Sequence, residues 1–253
     1  ALFFFSTDRE KVHPNRHLDG WTGILQADAY GGYNDLYRED RKPGPVTSAL
    51  CWSHARRKFF ELADIAATVR KGKPAQAISP VALAAVTRMD ALFAIERDLN
   101  GLDAEARREA RQRLSRPLVD DLNHWLVGER SQMSRHNPAA KAIDYMVDKS
   151  GRWEAFTRFL DDGRICLTNN AAERALRGVA LGRKAWLFAG SERGGNRAAF
   201  MYTLIVTAKL NDIDPHAWLA DVLARMPNMP VSRLPELLPW NWAAERNRQR
   251  DAA

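Results

Sequence analysis

Ile165-Cys166-Leu167-Thr168-Asn169-Asn170-Ala171-Ala172-Glu173-Arg174-Ala175-Leu176-Arg177 is the stretch on which the architecture turns. Its first three residues read as a short strand, and a helix follows. A strand placed here, after a long helical block, makes that block an insertion into an α/β core. Glu173 stands among Arg174, Arg177, Arg183 and Lys184, and two readings of it stay open. Asn170-Ala171-Ala172-Glu173 has capping-box spacing, with Asn170 as N-cap and the Glu173 carboxylate reaching back to its amide. Alternatively, Glu173 is a functional acid that shares a divalent ion with a second carboxylate while the arginines hold phosphates.

The second carboxylate is sought upstream. Residues 1–6, Ala-Leu-Phe-Phe-Phe-Ser, read as a buried strand, residues 23–28 as a second and residues 46–52 as a third. Asp28 ends the second strand, where functional groups in α/β proteins commonly leave the packed sheet. The plain alternative is an acid that opens the turn before Gly31-Gly32. Asp28 and Glu173 can meet only if the residues between them loop out.

The texture of that interval agrees. Lys71-Gly72-Lys73-Pro74 marks a boundary, and residues 80–160 read as helix after helix. Val81, Ala85, Met89, Leu92 and Phe93 form one apolar stripe. Leu114, Leu118, Leu122, Trp125 and Leu126 form another, and Ala142, Ile143, Met146 and Val147 open a third that Trp153, Phe156 and Leu160 extend. Residues 105–116, rich in Arg and Glu, read as a solvated helix face. Beyond Glu173, residues 186–189 read as extended and residues 195–210 as a core helix. Asp214-Pro215 starts a further helix, with Asp as N-cap and Pro in the first turn. The Pro- and Trp-rich end packs back on the domain, with fraying from Glu245.

The expected organisation is therefore α/β. Residues 1–70 form the first part of the core, 71–160 the helical insertion, 161–212 the second part with Glu173, and 213–253 a short helical tail. The net charge of +7 favours a polyanionic partner. Two isolated cysteines fit a reducing cytoplasm, and no apolar run is long enough to span a membrane. The chain lacks an initiator Met and begins inside an expected strand, so it reads as a fragment of something longer.

Two further stretches bear on the site. Cys51-Trp52-Ser53-His54-Ala55-Arg56-Arg57-Lys58 contains half of a zinc motif, but no second pair has suitable spacing. Nothing in the sequence identifies a partner to activate Cys51 as a nucleophile. His54, Arg56, Arg57 and Lys58 are instead read as opening a helix near phosphate. Gly190-Ser191-Glu192-Arg193-Gly194-Gly195-Asn196-Arg197 is a basic loop, read either as plain surface or as a DNA contact through Arg193 and Arg197. It lacks the Gly-Lys-Ser/Thr ending of a P-loop.

Taken in order, five pieces resemble the transposase of the insertion-sequence-66 family, within the DDE transposases. They are residues 25–33 (Leu-Gln-Ala-Asp-Ala-Tyr-Gly-Gly-Tyr), 51–59, 169–177, Leu181-Gly182-Arg183-Lys184 and Leu237-Leu238-Pro239-Trp240-Asn241. The resemblance implies a ribonuclease-H-like core interrupted by an all-helical insertion. It implies Mg²⁺-dependent cleavage of insertion-element ends and strand transfer into target DNA, with Mn²⁺ as a substitute ion. Asp28 would be the second catalytic, metal-binding acid and Glu173 the third, with His54 supportive. The family's first acid would lie upstream of Ala1. Asp8 is a poor replacement, so the fragment alone is expected to be inactive. The implied partners are element-end and target DNA and further copies of the chain on paired ends, in a bacterial cytoplasm and on the nucleoid. Gly178 and Ala185 depart from the family, which often has proline and asparagine there. Rival readings are a non-enzymatic DNA-binding remnant or accessory protein, and a ribonuclease-H-like nuclease.

Overall fold

The computed structural model describes residues 1–63, 78–147, 151–183, 185 and 189–251. Helix predominates among them, around one small parallel sheet. The chain falls into two compact units, Pro14–Glu173 and residues 1–13 with 174–253. The expected boundary at 70/71 and all but Ala189 of the expected extended segment at 186–189 lie outside the described residues.

In the larger unit, β1 (Ile24–Ala27) pairs in parallel with β2 (Thr47–Leu50), Ile24 opposite Thr47 and Ala27 opposite Leu50. Parallel neighbours need a crossover. Here it contains a 3₁₀ segment, Gly31–Tyr37. The Arg41 guanidinium steadies the crossover by donating to the carbonyls of Leu18, Trp21 and Gly44 at 2.6–2.8 Å. β2 runs directly into α2 (Trp52–Ala63), which follows α1 (Val12–His17) in chain order. Trp52 is fully buried, its Nε1 donates to the Phe156 carbonyl at 2.8 Å, and three aromatic rings meet it edge-on.

The helical block comprises α3 (Pro80–Asp98), α4 (Ala104–Leu114), α5 (Arg116–Ser131), α6 (Pro138–Val147) and α7 (Arg152–Thr157). Ser79 caps α3 by accepting from the Ala82 amide, and Pro80 occupies its first turn. The first expected stripe is borne out: Ala85, Met89 and Leu92 are buried, with Val81 and Phe93 packed at the margin. The second is displaced. Leu114 and Leu118 are exposed, and the buried face is Val119, Leu122 and Leu126. The stripe assumed one continuous helix, but α4 stops at Leu114 and α5 restarts at Arg116-Pro117, where proline has no amide to continue the ladder.

The solvated-face reading of residues 105–116 fails at Arg111, which is 1% exposed. Its guanidinium forms a two-pronged pair with Glu96 at 2.7 Å and donates to the carbonyls of Phe159 and Ile165 at 2.9 Å. α3, α4 and the returning chain are thus clamped together. Gly163 lies in the same turn, and a Cβ there would meet the Ala104 carbonyl oxygen at 1.7 Å. Residues 165–167 then come back to the sheet without forming a strand. Ile165 and Leu167 are buried, the Leu167 carbonyl accepts from Trp52 N at 3.1 Å, and the Gln26 side chain bonds to the Cys166 carbonyl.

In the smaller unit, the expected N-terminal strand is absent. Residues 1–6 lie along α9 (Glu192–Leu210), with the Phe3 amide on Thr203 Oγ1 at 3.0 Å. The close approach needs Gly195, since a Cβ there would come within 2.5 Å of the Phe5 ring. Hydrophobicity predicted burial correctly for Phe3 and Phe5 in part, but a helix surface takes up the segment, while Leu2 and Phe4 stay exposed. Asp214 caps α10 (Pro215–Arg225) by accepting from the His216 amide, as read from sequence. Ala208, Ile213, Trp218 and Trp242 form a small core, with Trp242 on α11 (Pro239–Asp251). α11 continues through the residues expected to fray, and Glu245 pairs with Arg225.

Candidate active site

Three segments of the larger unit meet at the carboxyl end of the two-stranded sheet. Asp28 is the residue after β1, half-buried. The amide of Cys51, at the end of β2, donates to the Ala27 carbonyl at 3.1 Å, which places the start of α2 beside Asp28. The amide of Asn169 reaches Cys51 Sγ at 3.4 Å. One turn into α8 (Asn170–Gly182), Glu173 Oε1 lies 3.2 Å from His54 Nε2 on the first turn of α2.

This geometry removes the capping-box reading of Glu173. The amides of Ala172 and Glu173 both donate to the Asn169 carbonyl, so Asn169, not Asn170, takes the N-cap position. The Asn170 amide is occupied by Thr168 Oγ1 at 3.4 Å. Glu173 contacts His54 across two elements rather than closing a capping box. His54 Nδ1 and Asn169 Oδ1 are buried, and neither has a hydrogen-bond partner among the described residues. Buried polar atoms of this kind ordinarily find a protein, water or ion partner.

Asp28 lines a cavity of about 660 Å³ that also takes in Tyr37, Ser48, Arg152 and Arg158. The Ala29 amide donates to Tyr145 Oη at 3.3 Å, so the helical insertion props the turn that carries Asp28. Burial pushes the Tyr145 phenol above its ordinary range; the Ala29 amide counteracts this and the Asp28 charge adds to it. Tyr37 is raised in the same way, chiefly by burial, with Asp28 a smaller contributor. Arg158 Nε is buried in this cavity wall and makes no hydrogen bond among the described residues. Sequence reading missed Arg158 because it sits in an amphipathic helical run with nothing local to distinguish it.

The arginines and lysines expected to meet DNA have different fates. Arg56 is held by Asp90 in a two-pronged pair at 2.6 and 2.9 Å, which raises its pKa, and it lies over the Phe60 ring. Lys58 Nζ sits 4.4 Å from the centre of the Tyr145 ring. Arg57 is exposed. In the smaller unit Arg174, Arg177, Arg183, Arg193 and Arg197 are all exposed, Arg193 and Arg197 beside Phe200 in a shallow groove on α9. Lys184 lies outside the described residues. Asp8, also in that unit, is engaged by His13 at 2.6 Å and by the Glu10 amide.

Hard divalent ions take oxygen ligands. Asp28 and Glu173 offer carboxylate oxygens and Asn169 an amide oxygen. Among the described residues, no three His, Cys, Asp or Glu side chains converge to hold an ion by themselves. The zinc reading of Cys51 and His54 gains nothing: Cys51 is buried and its sulfur accepts from an amide.

Comparison with known proteins places the chain. The family model described as "Transposase IS66 family" matches residues 1–197, and that described as "IS66 C-terminal element" matches residues 203–240. The chain belongs to the IS66 transposase family. The "Uncharacterized protein y4hP" of Sinorhizobium fredii is 56% identical over 246 residues, 96% of this chain and 44% of that protein. The "Uncharacterized protein y4jD" of the same organism is 37% identical over 248 residues, 96% of this chain and 46% of that protein. The chain thus spans less than half the length of these curated relatives. No solved structure matches it. None of its described helices is long and apolar enough to cross a membrane.

Proposed function

We propose that this chain carries two of the metal-binding acids of a DDE-type DNA transposase, Asp28 and Glu173, on a ribonuclease-H-like core interrupted by the helical block. The observation that carries the reading is the junction at the sheet end. Asp28 leaves β1, Cys51 leaves the paired β2, and His54 one turn later touches Glu173 after the intervening helices have looped out and returned.

In this reading Asp28 and Glu173 would hold Mg²⁺, or Mn²⁺ in its place, which would supply Lewis-acid charge for phosphoryl transfer. His54 orients the Glu173 carboxylate. Tyr145 fixes the turn behind Asp28. The exposed arginines of α8 and α9 neutralise phosphates of element-end and target DNA, and further copies of the protein act on paired ends.

The test is strand joining by the protein as its gene encodes it. Asp28→Ala or Glu173→Ala should abolish both end cleavage and joining while leaving the thermal transition in place. Joining that survives either substitution would overturn the assignment. The absence, among the described residues, of three converging His, Cys, Asp or Glu side chains favours a second reading, a DNA-binding remnant without catalysis. It predicts DNA binding and no joining in the parent protein. A nuclease of similar fold would cleave and never join.

A further inference from the structure

A pocket of about 490 Å³ opens between α2 and α3, separate from the Asp28 cavity. Its size lies within the range of small-molecule sites. Arg57 and Arg97 line it, and neither pairs with a carboxylate among the described residues. Arg56 is there too, but Asp90 neutralises it and fixes its guanidinium 5.1 Å from the centre of the Phe60 ring. Phe60 is 40% exposed, whereas Trp52, Ala55 and Phe59 on the same helix are fully buried. The core therefore makes no demand for an aromatic at position 60. Asn170 also lines the pocket, one helical turn before Glu173.

Two unpaired cations with an exposed ring beside them suit a phosphate joined to a flat apolar group. We infer that this pocket binds a single unpaired nucleotide of a DNA strand, its phosphate on Arg57 and Arg97 and its base stacked on Phe60. A base inside a duplex has both faces covered by its neighbours and cannot stack there. A frayed or single-stranded end can, and aromatic stacking tolerates any base. Asn170 on the pocket wall would set such a nucleotide one helical turn from Glu173. The inference rests on the DNA reading above and adds that the α2–α3 pocket selects unpaired ends. Arg97 and Phe60 attract no notice in the sequence, because each sits singly in an ordinary helical run.

The experiment is fluorescence anisotropy with the 253-residue chain, at several salt concentrations, on two probes. One is a blunt duplex; the other is the same duplex with a short single-stranded end. The parent should prefer the tailed probe. Phe60→Ala should weaken tailed-probe binding about ten-fold and leave the blunt duplex unchanged. Phe60→Trp should keep the preference. Arg97→Gln should lower the salt slope on the tailed probe by about one. Equal binding of the two probes by the parent, or a Phe60→Ala effect that is nil or the same on both, would overturn the pocket inference and leave the DNA reading intact. A parent that binds neither probe at low salt would overturn both.

Discussion

The two units bury a tryptophan in the same way and differ in almost everything else. Trp52 and Trp218 each donate their indole N–H to a backbone carbonyl, those of Phe156 and Leu237, at 2.8 Å. Around Trp52 lies a continuous core drawn from β2, α2 and the helical block, locked by the buried Arg111 clamp. Around Trp218 a small core of Ala208, Ile213 and Trp242 is buried with it, while Leu176, Leu181, Phe200, Leu210 and Leu223 remain exposed. The larger unit is built to hold a few side chains in fixed geometry. The smaller one presents arginines and apolar side chains on its surface.

The sharpest way to break this contrast is to truncate both tryptophans. Trp52→Ala should destabilise the chain by about 3–5 kcal/mol, as large aromatic truncations in packed cores do. Trp218→Ala should cost less, because fewer packed neighbours lose contact. Urea unfolding of both variants measures the difference, and an equal or larger loss at Trp218 would remove the distinction between scaffold and presenting surface.

Arg111→Met comes next. It leaves the Glu96 carboxylate without its cation and the Phe159 and Ile165 carbonyls without donors. Breaking one side of a buried pair costs about 3 kcal/mol or somewhat more. The loss should be largely recovered in Glu96→Gln/Arg111→Met if the unpaired charge dominates, and retained if the carbonyl bonds do. A double-mutant cycle separates the two.

The smallest expected effect is a pH dependence in the returning turn. The Arg164 side chain holds the Asp162 carboxyl below its ordinary value of 3.8; burial opposes it, and the Arg164 amide adds a further lowering. A folded-state pKa below the unfolded one favours the ionised form in the folded state. The contribution is therefore complete above about pH 4–5 and disappears as pH falls through the lowered value. Arg164→Gln should be measurably less stable than the parent at pH 6 and indistinguishable from it near pH 2.

Much of this was legible from local pattern. β1, β2, the Asp214-Pro215 helix start and the stripe through Ala85, Met89 and Leu92 follow from alternation, capping and 3.6-residue spacing. Asp28 and Glu173 stood out through their neighbours. What sequence missed required contacts between distant elements. Arg111 looked solvated because nothing local shows that Phe159 and Ile165 turn their carbonyls toward it. Residues 1–6 looked like a strand because a run of phenylalanines reports burial without saying whether a sheet or a helix supplies the partner. Leu114 and Leu118 read as one stripe because a helix break at Pro117 rotates the face between them. Asn170 looked like the cap because spacing alone cannot distinguish it from Asn169.

The central proposal is that Asp28 and Glu173 share one ion, with His54 orienting the Glu173 carboxylate. Iron-directed backbone cleavage tests it most directly. The protein as its gene encodes it is loaded with Fe²⁺ in place of Mg²⁺ and treated with ascorbate and peroxide, so that radicals cut the chain nearest the ion. The account predicts cuts around residues 28, 51–54 and 169–173, all suppressed by excess Mg²⁺ and all lost together in Asp28→Ala and in Glu173→Ala. Cuts at only one of these segments, or cuts near 28 that persist in Glu173→Ala, would contradict it.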